Sequence, residues 1–390
     1  MEWGGRSLAD YVPDAPTSTA GMPGPSREVS RARVEVPGCT ACDHLRHLSS
    51  MKKPSARSTN QDRLTALRDG GVDSDVLLAR LDFIEYEGMR KDLVKLSKAD
   101  RVFPEILPTQ ASGRWSTKNP NLGGFKREFW KKHRHIIHPD PGEWWLEFDW
   151  SGIEARMFTA YTGDEEDVQL FKLDKDIHTF TCSKYLMAWA PDLRVDSPRD
   201  GYNLPADWDP KGDIRTRAKN FRYGVLQYGT SERAILGMPG IEKLGLQRPA
   251  LLERARHFLA ARPKATAWKQ AVWDRCRLDK EARTFMGRRR KLFGLPDDRA
   301  KDGLNHMIQG SVADLMDWCL VAIAKEWPQF SLVLNKHDGA ILAFPNECPV
   351  DTTRARVKAL VEREWEVGQG IVMGFPAEWE TILAPGASNW

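Results

Sequence analysis

No apolar run in this 390-residue chain approaches the ~20 residues needed to cross a bilayer. The opening stretch, MEWGGRSLADY, lacks the apolar segment of a secretory signal. These absences lead us to expect a cytoplasmic protein with no membrane partner. Cysteine is sparse: six, scattered over the whole length, exclude a secreted disulfide framework and suit a reducing compartment. No charge sign dominates. A net charge of +4 means that any nucleic-acid surface has to be built from local clusters. There is no internal repeat. What is present is length enough for a large core and two or three lobes. Fifteen tryptophans stand out in the composition and indicate no function by themselves.

Residues 1–58, rich in Pro, Ser, Gly and Arg and without periodicity, read as a disordered or partner-binding arm. The pattern is helical over 63–99. A polar connection, ASGRWSTKNPNLGG, precedes the basic and aromatic FKREFWKKHRH. WWLEFDW reads as a strand. A helix over about 151–161 opens on a capping box, Ser151 with Glu154 three residues on. Further helices are expected over 213–229, 250–278 and 304–325. SLVLNK and AILAF flank His337-Asp338-Gly339 as strand, turn, strand.

Two carboxylates carry the chemistry. Asp149 closes one apolar run and Asp338 sits at the tip of the hairpin. Carboxylate oxygens suit magnesium, and two metals about 3.5–4 Å apart can clamp the attacking and leaving oxygens of phosphoryl transfer. Taken alone, Asp338 also reads as a plain Asp-Gly turn. Arg215, Lys219 and Tyr223 are four apart and share one helix face. Such a row places two cations on a triphosphate and a ring near its sugar or base; the competing reading is a solvated basic face. Arg288, Arg289, Arg290 and Lys291, with Lys131, Lys132 and Arg134 beside Trp130, suit phosphate contact or a solvated charge run. Cys39, Cys42, His44 and His47 are spaced too tightly to supply four metal ligands comfortably, so free thiols are preferred and a metal is left open.

In chain order, SGRWSTKNPNL, EFDWSGIEARMFTAYTGDEE, DIHTFT, RTRAKNFRYGVLQYG, TFMGRRRKL, NHMIQGSVADLM, LNKHDGAILAF and SNW resemble signatures of family A DNA polymerases, the DNA polymerase I type. The second, fourth and seventh resemble motifs A, B and C. The resemblance runs from about Leu77 to Trp390. It implies a right-hand polymerase with an α+β palm (113–180 and 301–390), helical fingers (181–300) and a reduced thumb (59–112). It implies template-directed addition of dNTPs to a primer 3′ end with two Mg²⁺ (Mn²⁺ as substitute), acting on primer-template DNA, as a nucleoid-associated monomer in a bacterial or phage-infected cell.

By the same resemblance, Asp149, Asp338 and the backbone carbonyl of Trp150 hold the metals, and Lys219 joins the two aspartates in catalysis. Arg215, Lys219 and His178 hold the triphosphate. Tyr223, Glu154, Tyr228 and Gln227 shape the dNTP pocket; Tyr223 favours dideoxynucleotide acceptance, and Glu154 either crowds the sugar 2′ position or only caps its helix. Arg114, Asn305, Gln309, His337, Arg288, Arg289 and Lys131 meet the DNA.

The chain departs from the family at several points. Gly152 and Gly123 stand where glutamine is usual, and Lys301 where arginine is usual. Gly339 removes a third acidic side chain. Gln227 lengthens motif B by one residue; a one-residue π-bulge that returns Tyr228 to the row of Arg215 is favoured over Gln227 taking the tyrosine's place. The stretch before Arg114 is short for a thumb and shows no exonuclease carboxylate pattern. A non-proofreading, distributive enzyme is expected, helped by its basic arm (Arg27, Arg31, Arg33, Lys52, Lys53, Arg57) or by a separate exonuclease or processivity partner. The rivals are a single-subunit RNA polymerase, opposed by Glu154 and Tyr223, and a catalytically silent DNA-binding protein.

Overall fold

A computed structural model describes residues 104–107, 110–119, 121–124, 138–187, 213–229, 247–336, 338–368 and 370–384, with Arg80 and Ile235. The chain divides into two compact units, Met1–Phe103 and Pro104–Trp390. Of the first, only Arg80 is described. The N-terminal arm, the helix expected over 63–99, Cys39, Cys42, His44, His47, Lys131, Lys132, Arg134, His337 and the terminal SNW lie outside the described residues.

β1 (Glu105–Leu107) and β2 (Ser116–Lys118) form a short antiparallel ribbon. β3 (Glu143–Trp150) leads into α1 (Ile153–Thr162), then α2 (Glu165–Lys172) and α3 (Ile177–Thr181), which continues into a π-helical turn at Cys182–Met187. α4 (Asp213–Arg222) continues as a π-helical segment, Tyr223–Gln227. α5 (Arg248–Ala260) and α6 (Pro263–Asp279) precede a ribbon of β4 (Glu281–Arg283) and β5 (Arg289–Lys291). α7 (Pro296–Asn305), a π turn (His306–Gly310) and α8 (Ser311–Glu326) make one helical run. β6 (Ser331–Lys336), β7 (Gly339–Pro345), α9 (Val350–Val361), β8 (Trp365–Gly368), β9 (Ile371–Met373) and β10 (Ala377–Ile382) complete the unit.

The central sheet is antiparallel with order β10-β3-β7-β6. Its middle strands are apolar almost throughout because both faces are covered: Trp144, Leu146, Phe148, Ala340, Leu342 and Phe344 are buried on one face, and Trp145, Ile341 and Ala343 on the other. α1 is buried along its length, and the Tyr161 hydroxyl meets Ser311 Oγ at 2.8 Å. Many tryptophans serve this packing. Trp144 stacks on Phe344 at 5.1 Å and donates to the Cys348 carbonyl at 3.0 Å; Trp318 meets Trp365 edge-on at 4.8 Å.

Three local expectations are corrected. The capping box does not form: Gly152, at φ 61°, is the N-cap of α1, no side chain caps it, and Glu154 is engaged elsewhere. The helix expected over 250–278 is broken at Arg262-Pro263, because proline cannot continue a helix but suits the first turn of the next. The helix expected to begin near 304 starts at Pro296 and carries a π turn. That run, Pro296–Glu326, is also long and apolar enough in composition to span a bilayer, against the reading above. With 61% of its most apolar window buried inside the protein, it serves as a core helix here.

Buried charge marks the α5–α6 elbow. Arg262 donates to Asp167 and Glu166, and Asp167 also accepts from Arg222. Asp167 stays ionised although burial opposes it, because two guanidiniums flank it. Lys269, one helix face along, is 6% exposed, and burial pulls its ammonium down to about 8. The unfolded chain holds that proton up to 10.5, so this group's penalty is full below pH 8 and vanishes as pH rises past 10.5. Relative to Lys269→Met, the wild type should therefore gain roughly 2 kcal/mol between pH 7.5 and 9.5, read by urea unfolding. A pH-independent difference would contradict this.

Candidate active site

The hairpin β6–β7 pairs Lys336 with Gly339, so Asp338 lies at its tip. β3 pairs with β7 so that Asp149 lies opposite Gly339. The Trp150 amide donates to the Asp338 carbonyl at 2.8 Å, locking the tip beside the end of β3. Gly339 explains the closeness. A Cβ there would overlap the Phe148 carbonyl oxygen and crowd the Asp149 Cα. The missing acidic side chain of motif C therefore corresponds to missing space.

Asp149 and Asp338 open onto a cavity of about 420 Å³, lined also by Glu154, Arg215, Lys219 and Tyr223. The six come from three stretches far apart in sequence, around 149–154, 215–223 and 338, and the fold brings them together. Trp150 lines the cavity as well. Two residues, one in the cavity and one bonded to Arg215, were missed by sequence reasoning. Glu378, on β10, is paired across the sheet with Asp149 and places a further carboxylate in the cavity. Its signal was the alternating AEWETI, readable as a strand but not assignable to this sheet. Asp176 was the other.

Asp176 takes Arg215 in a two-point pair, Nε to Oδ2 at 2.6 Å and Nη2 to Oδ1 at 2.7 Å, while capping α3 through the His178 and Thr179 amides. Burial resists its ionisation, but hydrogen bonds from Arg215 and Thr179 hold its carboxyl down to about 2. His178 is buried edge-on against the Tyr223 ring at 5.4 Å. Burial and the nearby cations Arg222, Arg215 and Lys219 pull it down to about 3, so it is a neutral donor or acceptor at physiological pH. Its Nδ1 is buried with no protein partner. Lys219 is exposed, its ammonium 5.7 Å from the Tyr223 ring.

A second network joins the motifs. Glu154 accepts from Tyr228 Oη at 2.6 Å and from Arg114 Nη2 at 2.5 Å; the same Arg114 nitrogen reaches Asp338 Oδ1 at 2.9 Å. Gln227 and Gln309 donate to Tyr228 Oη at 3.0 and 3.4 Å. The π segment makes this possible. Tyr228 N bonds to Tyr223 O, five residues back, at 2.8 Å, so the extra residue is absorbed and Tyr228, not Gln227, makes the short bond to Glu154. Burial and the Glu154 charge raise the Tyr228 hydroxyl, keeping it a donor. Burial and the adjoining carboxylates Glu154 and Asp149 raise Asp338 to about 6 against the pull of Arg114.

The expected DNA contacts divide. Arg114 and Gln309 join this network, and Asn305 closes α7 with its Oδ1 buried and unpartnered. Arg288 is committed internally, to Asp314 and to the carbonyls of Ser112 and Gly310, so it holds protein instead of standing ready for a phosphate. Arg289 is exposed. His337 and Lys131 lie outside the described residues.

Residues 41–381 match the profile of DNA polymerase family A. The chain belongs to that family. Its α+β architecture is a polymerase fold: over 86% of the chain it superposes on the POL domain of Pol1 from M. smegmatis, solved in complex with DNA primer-template and dNTP, with a TM-score of 0.66 at 19% identity and 59% of that chain covered. Among curated relatives, the thermostable DNA polymerase I of Thermus filiformis is 27% identical over 84% of this chain and 38% of its own length. DNA polymerase I of Mycobacterium tuberculosis (strain ATCC 25618 / H37Rv) is 24% identical over 96% of this chain and 41% of its own. This polymerase-family chain thus spans about two fifths of the relatives it matches.

Arg114 is the only link among the described residues between Glu154 and Asp338. Arg114→Ala should destabilise the metal-free protein by about 2–3 kcal/mol, below the range for fully buried pairs because the Asp338 side chain is 36% exposed. Chemical denaturation in EDTA measures it; a change under about 0.5 kcal/mol would show that the bridge holds nothing.

Proposed function

We propose that the chain is a DNA-directed DNA polymerase that adds dNTPs to a primer 3′ end on a DNA template. The single observation that supports this best is the shared cavity, where two carboxylates on adjoining strands face the Arg215, Lys219 and Tyr223 row of motif B. In this reading the sheet and α1 to α3 form the palm, and α4 to α6 belong to the fingers.

The donor set fits magnesium. Among the described residues, no three His, Cys, Asp or Glu form a ready-made metal cage, and magnesium is typically held by one or two carboxylates plus substrate phosphates. Asp149, Asp338 and the Trp150 carbonyl would hold it, and the ions would neutralise charge on the reacting phosphate. The protein's own residues do the rest. Arg215 and Lys219 bind the triphosphate, with Arg215 exchanging Asp176 for phosphate oxygens. The buried, unpartnered His178 Nδ1 is a further polar group for that ligand. The primer 3′ oxygen attacks the α-phosphorus and pyrophosphate leaves; Lys219 is placed to stabilise that leaving charge. Glu154, held by Tyr228, shapes the pocket at the sugar 2′ position, and Tyr223 lies against its 3′ side. Arg114 exchanges its carboxylates for the primer-template.

Primer extension with Mg²⁺ tests this. Asp149→Ala and Asp338→Ala should each abolish extension in a folded protein, and activity within a few-fold of wild type would overturn the metal assignment. Glu154→Ala should raise ribonucleotide use relative to deoxynucleotide use, and Tyr223→Phe should reduce dideoxynucleotide acceptance. Wild-type preference for ribonucleotides would favour an RNA polymerase instead.

A further inference from the structure

The C-terminal end of motif B leans on one face of α6. Arg262, Lys269 and Trp273 are separated by seven and four residues, so all three lie within about 20° of one direction around the helix. Each meets the motif B chain at a successive point. Arg262, through Asp167, reaches Arg222, the residue before the π segment. Lys269 Nζ donates to the Val225 carbonyl at 3.2 Å, inside the segment. The Trp273 ring occupies the space where Gly229 would carry a side chain.

Lys269 is the unexpected member. An ammonium buried in a core is unfavourable unless it is paired, and no carboxylate is bonded to it; its hydrogen-bond partner is a backbone carbonyl. That carbonyl belongs to the last turn of a helix, where carbonyls lack intrahelical donors and cations are favoured by the helix dipole. The turn is also the one widened to absorb Gln227, and it ends on Tyr228, whose hydroxyl reaches Glu154.

We propose that Lys269 is a positioning residue for sugar selection: by holding the Val225 carbonyl it fixes the π register and so the aim of the Tyr228 hydroxyl at Glu154. The inference rests on the sugar-pocket reading of Glu154 given above. Lys269 touches no substrate and acts through backbone three residues from Tyr228. A Met of similar length fills its space without donating; an Arg keeps a donor and a charge.

The test is single-nucleotide insertion by the full chain, with kcat/KM measured for a dNTP and for the matching rNTP. Lys269→Met should lower the dNTP-to-rNTP ratio about ten-fold, and Lys269→Arg should keep it within about three-fold. In a double-mutant cycle, Tyr228→Phe and Lys269→Met should be far from additive, because both act through one hydroxyl. If Lys269 serves packing alone, both nucleotides slow together and the ratio holds, which overturns the proposal. Lys269→Leu, apolar and without a donor, gives the same readout should the Met variant not fold, and a retained ratio there together with additivity also overturns it. Glu154→Ala separates the two levels. A lowered ratio there with an unchanged ratio in Lys269→Met removes only the positioning role; an unchanged ratio in Glu154→Ala removes the sugar-pocket reading and this inference with it.

Discussion

The site depends on how closely two strands approach at Gly339. Antiparallel pairing sets Asp149 opposite that glycine, and the bond from the Trp150 amide to the Asp338 carbonyl draws the hairpin tip against the end of β3. Held at the end of β3 and at the tip of the adjoining hairpin, the two carboxylates are a fixed pair. A side chain at 339 would force the Phe148 carbonyl away and open that pair. The chain thus trades a motif C carboxylate for a tighter strand contact, while Glu378 on β10 brings a carboxylate to the same cavity from the other side of Asp149.

Around this frame, charge is used for geometry more than for stability. Buried ion pairs contribute little net free energy, yet removing one partner is expensive. Arg114 ties Glu154 to Asp338, and Asp167 ties Arg222 to Arg262. The first tie sets the floor of the cavity; the second anchors the helix that carries Arg215, Lys219 and Tyr223. Arg215 itself is parked on Asp176, and His178 is neutral, so the surroundings of Arg215 hold less positive charge than a count of basic residues suggests.

The central strands, the hairpin and motif B were legible because periodicity, turn chemistry and fourfold spacing are local signals. Asp149, Asp338, Glu154 and the Arg215 row could be placed from spacing and family resemblance, and the π segment from one surplus residue, Gln227. What was not legible is set by tertiary partners. Glu154 fits a capping box as well as it fits Tyr228 and Arg114, and only the left-handed Gly152 settles the helix start. Arg288 sits in a basic run like Arg289, yet Asp314 and two carbonyls claim it. Arg262 and Lys269 carry no short-range mark, and Asp176 and Glu378 carry only a helix cap and a strand alternation; each matters through a residue far away in sequence. Pro263 was a missed signal that the sequence did display.

The bare backbone at 339 sets the spacing of the two aspartates. The most direct measurement is the single-turnover rate of primer extension by Gly339→Ala, on protein shown to be folded by its near-ultraviolet circular dichroism. A displacement of about 1 Å in a reacting constellation typically reduces the rate on the order of 100-fold. The account predicts a loss of that size with primer-template affinity retained. A rate within about three-fold of wild type would contradict it.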